Sequence, residues 1–419
     1  MAGSLTPADP LASVPPPGGR RLAVRLRPAA QRAVRGGHPW VFDRSITHCT
    51  PGGQAGDLAV IFDHQRRFLA VGLYDPASPL RVRVLARGAP QAVDGEFLYR
   101  RLRAAVALRR SLDTPRTTAF RLVHGENDGL PGLVLDRYEA TLVLKLYTPA
   151  WVPWLPALRA ALAEALPHER LVLRFDRRSA ARPELLHGLH DGDTVVGAPP
   201  PGAVPFYENG LRFQADVVRG HKTGFFLDQR DNRARVEAVA AGRRVLDVFA
   251  YTGGFALYAA RGGAAAVSVV DGSLPALATC RRHFALNHDW PGVAAVVPDV
   301  RQGDAFAALA ELAARGAVYD LVVVDPPAMA KRQAEVTTAL RAYARLTSLA
   351  LGVLAPGGTL VMASCSSRLS PDALASAVLR AAARAGRRLR ETARTGHPLD
   401  HPVAFPEGAY LCCLFASES

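Results

Sequence analysis

The sequence predicts an α/β protein. Its carboxyl-terminal half is a doubly wound, mostly parallel sheet, preceded by a small β-barrel-type module and an α+β middle segment. Three observations predict this. From about residue 200, near-continuous apolar strands alternate with helical stretches, the pattern of a parallel sheet covered on both faces. From Arg20 to about Arg87, short alternating strands are punctuated by Pro-Gly-Gly and Asp-Pro. Between about 93 and 195 the two patterns mix.

Residues 1–19 are rich in Pro, Gly, Ala and Ser and lack a basic start before an apolar core. They are expected to form a disordered tail, not a signal peptide. The first domain is placed at 20–92, with strands in "LAVRL", "LAVIFD", "FLAVGLY" and "LRVRVLA". The middle domain, 93–198, starts with an arginine-rich helix over about 95–112. "DGLPG" at 128–132 is a turn signal, the strand "ATLVLKLY" comes next, then a helix near 151–166 and the strand "RLVLRFD". The acids Glu126, Asp128 and Asp136 stand beside Gly and Pro and are assigned to turns rather than to a metal. The third domain, 199–419, contains strands "RVLDVFA", "AVSVVD", "AVVPDV", "DLVVVD" and "TLVMAS". Helices are expected over about 273–287, 303–315, 335–353 and 371–385. The chain closes with two strands joined by a long loop.

Composition narrows the function. The chain has 419 residues, 49% of them hydrophobic, and a formal net charge of +14, with only three lysines (Lys145, Lys222, Lys331) among 51 basic residues. Such a basic balance favours a polyanionic partner, most simply nucleic acid. Six arginines between Arg20 and Arg35, with Trp40 and Phe42 close behind, suit RNA. The five cysteines (49, 280, 365, 412, 413) form no CxxC, so reduced thiols and a cytoplasmic setting are expected. No metal-ligand spacing and no apolar run long enough to span a membrane are present.

In an open parallel sheet, ligands bind beyond the carboxyl ends of the strands. "DVFAYTGGFA" closes the first strand, bringing Asp247, Phe249, Tyr251 and Gly253 to a tight turn that opens a helix. Asp271, 24 residues beyond Asp247, is placed to hydrogen-bond ribose hydroxyls. Asp304 stands after the third strand, where it can receive an adenine amine or cap a helix. Asp325-Pro326-Pro327 ends the fourth strand and Cys365 the fifth. Four acids and a thiol at five strand ends are more than chance placement supplies.

These stretches resemble the successive motifs of class I S-adenosylmethionine-dependent methyltransferases, with their Rossmann-like fold. "GHKTGFFLDQRDNR" (220–233), "SCS" (364–366), "HPWVF" (38–42), "GENDGLPGLVLDRY" (125–138) and "HPVAFPEGAYL" (401–411) resemble the bacterial 23S ribosomal RNA large-subunit methyltransferase I family, over about residues 20–417. The resemblance implies an amino-terminal RNA-binding PUA domain, 5-methylcytosine formation in 23S ribosomal RNA, S-adenosylmethionine as cofactor, and a homodimer. It further implies that the "HKTGFF" segment with Phe226, Gln229 and Arg230 lines the methionine end of the cofactor. Phe249, Tyr251, Gly253, Asp271, Ser273, Asp304 and Asp325 are expected around the rest.

Carbon 5 of cytosine is a poor nucleophile. A thiolate adding to carbon 6 makes carbon 5 enamine-like, which is covalent catalysis. Cys365 is expected to be that thiol. By resemblance Asp325 contacts the ring near N3. The chain lacks the Pro-Cys that many RNA cytosine-5 methyltransferases carry after this acid, because Ala328 comes after Pro327. It also lacks the aromatic that amine methyltransferases often place there. The alternatives are a guanine or adenine amine methyltransferase and a catalytically silent ribosomal RNA-binding factor. An NAD-linked enzyme is disfavoured by the missing GxGxxG.

Overall fold

The structure of the protein is a computed structural model that describes residues 9–418. The chain divides into two compact units. The first comprises residues up to Gly210, Ala215–Leu227 and Leu399–Phe405; the second comprises Leu211–Gln214, Asp228–Pro398 and Pro406–Ser419. Two short stretches of the carboxyl-terminal half therefore pack in the first unit.

In the first unit, β1 (Arg21–Leu26), β2 (Trp40–Phe42), β3 (Ile46–Cys49), β4 (Leu58–Phe62), β5 (Phe68–Tyr74) and β6 (Leu80–Arg87) form one sheet, ordered β2-β6-β5-β4-β1-β3. Strand period explains the faces: Leu22, Val24 and Leu26 point into the core while Arg21 and Arg25 face solvent. The sequence reading missed α1 (Pro28–Arg35), although Pro28 at its first turn and Gly36-Gly37 behind it are ordinary helix punctuation. This helix buries only Gln31 and Val34.

The rest of this unit begins with α2 (Gly95–Leu108), β7 (Ala119–His124), β8 (Leu133–Tyr138), β9 (Thr141–Leu146), α3 (Leu155–Ala165), β10 (Arg170–Phe175), α4 (Arg177–Ala180), β11 (Thr194–Val196) and β12 (Val204–Glu208). A sheet ordered β11-β10-β9-β8-β7 packs with α2 and α3 in one apolar core. Of the acids assigned to turns, Asp128 does hold one, its Oδ2 accepting from the His124 amide at 2.6 Å, and all three also pair with arginines. Asp128 pairs with Arg109 at 2.7 Å, Asp136 with Arg121 at 2.8 Å and Glu126 with Arg83 at 3.1 Å. Asp400 joins them, accepting from the Arg121 amide and, through its carbonyl, from Arg109, both at 3.0 Å.

The tail expected over 1–19 is corrected from Asp9 onward; residues 1–8 lie outside the described residues. Leu11 and Val14, one turn apart, are buried in the same apolar core as Leu58 and Val71. Asp9 pairs with Arg159, and that hydrogen bond holds its carboxyl down at about 2. Pro and Gly composition suggested disorder, and two apolar side chains outweighed it.

The second unit contains β13 (Leu211–Ala215, of which Leu211–Gln214 belong here), α5 (Arg230–Ala238), β14 (Arg244–Val248), α6 (Gly254–Arg261), β15 (Ala266–Asp271), α7 (Leu274–Leu286), α8 (Pro291–Ala294) and β16 (Asp299–Gln302). It continues with α9 (Ala305–Ala314), β17 (Tyr319–Val324), α10 (Val336–Leu351), β18 (Leu354–Ser364), α11 (Pro371–Arg384), β19 (Leu389–Thr395) and β20 (Cys412–Glu418). Seven strands are ordered β16-β15-β14-β17-β18-β20-β19, with β20 antiparallel to both neighbours. The strand expected in "AVVPDV" begins only at Asp299. Pro298 has no N–H for the ladder, and Val297 before it is 92% exposed. Among the described residues no helix is long and apolar enough to cross a membrane.

Candidate active site

Register aligns the strand ends. Val248 pairs with Val270 and Val324, and Val324 with Met362, so these four residues form one row across β15, β14, β17 and β18. The turns at the carboxyl ends of these strands therefore emerge along one edge of the sheet. Strand order reverses at β14, which opens the crevice where such sheets bind ligands.

The turn after β14 is tightly wound. Phe249, Tyr251 and Gly253 take φ of 62°, 51° and 74°, in the left-handed region that side chains normally avoid. Asp271 holds this turn, its Oδ2 accepting from the Tyr251 amide at 2.8 Å while Oδ1 accepts from the Ser273 amide at 2.8 Å. Gly253 admits no side chain, because a Cβ there would lie 2.2 Å from Cys280 Sγ on α7. Burial has pushed that thiol up to about 12.

His283, also on α7 and fully buried, braces the same turn. Its Nε2 accepts from the Gln214 amide at 3.0 Å, so Nδ1 carries the proton and donates to the Thr252 carbonyl at 2.9 Å. Desolvation pushes the ring down to about 4 from 6.5. The unfolded chain protonates near 6.5 and the folded chain only near 4, so stability is full above 6.5 and falls as pH drops toward 4. The expected loss is about 3 kcal/mol. Urea unfolding at pH 7 and pH 4.5 checks it. His283→Gln should show a smaller pH difference than the parent; equal slopes would remove His283 from the account.

The remaining expected residues separate by what they touch. Gln229, buried, donates from Nε2 to Asp325 Oδ2 at 3.0 Å. Its amide is oriented by Asn232, which donates to Gln229 Oε1 at 2.6 Å, and Asn232 is in turn held by Thr395. Sequence reasoning missed Asn232 and Thr395; the i, i+3 spacing of Gln229 and Asn232 was the available signal. Cys365, half-exposed, lies with Sγ 4.0 Å from the Pro326 carbonyl, beside Asp325. Ser366 fixes this meeting by donating to the Ala330 carbonyl at 2.6 Å. Gln229, Asp325 and Cys365 are thus brought together. Ser273 and Asp304 serve as helix caps, accepting from Ala276 at 3.3 Å and Ala307 at 3.0 Å. Arg230 is buried at the start of α5, 3.3 Å from Asp231. Phe226 belongs to the first unit, with Lys222 Nζ 4.6 Å from its ring centre.

Asp247 was not among the expected contacts. It is fully buried on β14; Oδ2 accepts from the Ala256 amide at 3.0 Å, and Oδ1 has no partner. Burial foremost, then the fields of Asp325 and Asp271, raise its carboxyl far above the usual range. An orphaned oxygen among three acids suits a small cationic ligand. A sulfonium with an ammonium, as in S-adenosylmethionine, fits that charge.

Known proteins share this fold and its domain families. The family profile for S-adenosylmethionine-dependent methyltransferases matches residues 190–415, and that for PUA-like domains residues 24–87. A "Ribosomal RNA large subunit methyltransferase" of Deinococcus radiodurans is 47% identical over 408 residues, covering 96% of this chain and 99% of that one. The chain belongs to the ribosomal RNA large-subunit methyltransferase I family. The corresponding methyltransferase I of Shewanella denitrificans is 37% identical to this methyltransferase, over 94% of the chain and 99% of the relative. Among solved structures, an S-adenosylmethionine-dependent methyltransferase from Streptococcus mutans shares the fold, with TM-score 0.79 at 19% identity, over 94% of this chain and 99% of that one. So does a methyltransferase complexed with SAH, with TM-score 0.80 at 20% identity, over 95% of this chain and 99% of that one. This methyltransferase uses S-adenosylmethionine.

Proposed function

We propose that the enzyme forms 5-methylcytosine in 23S ribosomal RNA, in the cytoplasm, through a covalent adduct on Cys365. The names of its relatives support the RNA class. The carrying observation is Cys365 itself, a half-exposed thiol at the carboxyl end of β18 beside the Asp325 turn. The other thiols of the second unit are packed: Cys280, Cys412 and Cys413 are buried, and burial pushes each thiol up.

Bound S-adenosylmethionine supplies an electrophilic methyl on a sulfonium. Cys365 Sγ bonds to carbon 6 of the cytosine, and the electron pair of the C5–C6 double bond becomes available at carbon 5. Asp325 stabilises the ring near N3 as the pair shifts, and Gln229, hydrogen-bonded to its Oδ2, holds that carboxyl in place. Carbon 5 takes the methyl as the sulfonium–methyl bond breaks, the electron pair of that bond staying on the cofactor's sulfur. Loss of the carbon 5 proton to water then restores the double bond as the Sγ–C6 bond breaks, its electron pair leaving with sulfur, which frees the thiolate. Asp247, Asp271 and the turn Phe249–Gly253 hold the cofactor, with Arg230, Ser273 and Asp304 at its periphery.

Ala328 and Met329 after Asp-Pro-Pro speak against an amine acceptor, since neither offers a ring to stack on a flipped base. The test is transfer of labelled methyl to ribosomal RNA from cells lacking this gene, with digestion to nucleosides afterwards. Label is expected in 5-methylcytidine. Label in a methylated guanosine or adenosine would keep the cofactor and overturn the carbon 5 chemistry.

A further inference from the structure

Within the first unit, Tyr147 presents an exposed aromatic ring. Tyr147 stands just after β9 between buried Leu146 and Thr148, yet is 44% exposed. Lys145, two residues earlier on the same side of the strand, places Nζ 5.7 Å from its ring centre. That ammonium donates to the Lys222 carbonyl at 2.9 Å. Lys145 thus ties the backbone of Lys222 to the strand that presents the exposed tyrosine, while the Lys222 ammonium itself lies 4.6 Å from the Phe226 ring centre.

Lys222 sits on a rigidly anchored loop. Arg174 donates to the carbonyls of Val217 at 3.1 Å and Gly220 at 3.2 Å. Asp136 accepts from the Thr223 hydroxyl at 2.5 Å, and Tyr138 accepts from the Phe225 amide at 3.2 Å. Asp216 caps the start, accepting from the amides of Val218 at 3.1 Å and Arg219 at 2.8 Å. The result holds Lys222 at φ 55°, a conformation a lysine does not adopt unforced, with Arg219 and His221 exposed just before it.

Anchoring explains the buried ends of this loop and the Lys145 contact to it, but not the exposed tyrosine. A planar ring flanked by preorganised cations is how proteins hold an unpaired nucleotide, with base on ring and phosphate on ammonium. We propose that Tyr147, Lys145 and Lys222 form a subsite for one single-stranded nucleotide of the RNA substrate. Tyr147 stacks on its base and Lys222, with Lys145 behind it, receives its phosphate. This rests on RNA being the substrate, as proposed above, and is independent of which atom is methylated.

The test reads binding, not methylation. The full chain is titrated with a fluorescein-labelled 20-nucleotide single-stranded RNA of mixed sequence and with its duplex. Tyr147→Ala is expected to weaken single-strand binding about tenfold and duplex binding little. Tyr147→Phe should bind as the parent does, because the ring and not the hydroxyl stacks. Lys222→Met should lower the slope of log affinity against log salt by about 0.7, one phosphate's worth on a single strand. Unchanged unfolding midpoints show that the variants fold. Tyr147→Ala binding within twofold of the parent would overturn the proposal. So would equal losses on single strand and duplex, which would leave only a grip on phosphate. A parent that binds neither RNA would overturn the RNA-substrate reading, whereas a parent that binds both but labels another nucleoside would overturn only the carbon 5 chemistry.

Discussion

Replacing Cys365 by alanine is expected to reduce methyl transfer to ribosomal RNA by about ten-thousandfold or more, with cofactor affinity unchanged. Removing a covalent nucleophile takes away the whole lower-energy route, so the loss is far larger than a lost contact gives. Cys365→Ser should be nearly as inactive, because a hydroxyl is a much weaker nucleophile than a thiol. No neighbour can substitute: Cys412 and Cys413 are buried on β20 and Cys280 is buried on α7, its thiol pushed up to about 12. Single-turnover transfer measures the rate. RNA carrying 5-fluorocytidine gives a second readout, since fluorine at carbon 5 blocks the final elimination and traps the adduct. The parent should form a denaturation-resistant complex and Cys365→Ala none. A variant that still methylates at the parent rate would make Cys365 a packing residue.

Gly253→Ala carries the second large effect. The φ of 74° alone costs a side chain about 1–2 kcal/mol. The new methyl would also lie 2.2 Å from Cys280 Sγ and 3.1 Å from its Cβ, so the turn or α7 must move. Overpacking of this kind adds about 1–3 kcal/mol, for a total of roughly 2–5 kcal/mol in urea unfolding. Because Tyr251 and Thr252 share the turn, S-adenosylmethionine affinity should fall as well. Adding Cys280→Ala removes the sulfur and should restore part of the stability, but not the share due to φ. A Gly253→Ala protein as stable as its parent would show that the turn is held differently.

The doubly wound sheet and its strand-end chemistry were legible because both are local. Apolar runs mark the strands, and each strand ends in a turn, so Asp271, Asp325 and Cys365 announce themselves by position. Asp304 was legible only as an acid at a strand end; both roles weighed for it were open, and it caps a helix. What the sequence hid is pairing at a distance. Thr395 holds Asn232, which orients Gln229 on Asp325, across 163 residues. Asp400 serves Arg109 and Arg121 across 291 and 279 residues. No periodicity encodes such partners. The misplaced third strand is a different failure, because Pro298 was visible and the missing N–H outweighs its apolar neighbours.

That Asp400 is an organ of the first unit bears on how the protein is made. A ribosome completes the bulk of this unit by Leu227 but finishes Leu399–Phe405 only 178 residues later. At ordinary elongation rates the interval is on the order of 10–40 s. For that time Arg109 and Arg121 have Asp128 and Asp136 but not Asp400, and the unit must wait, incompletely closed, while most of the second is synthesised. The first unit therefore closes only after most of the second has been synthesised.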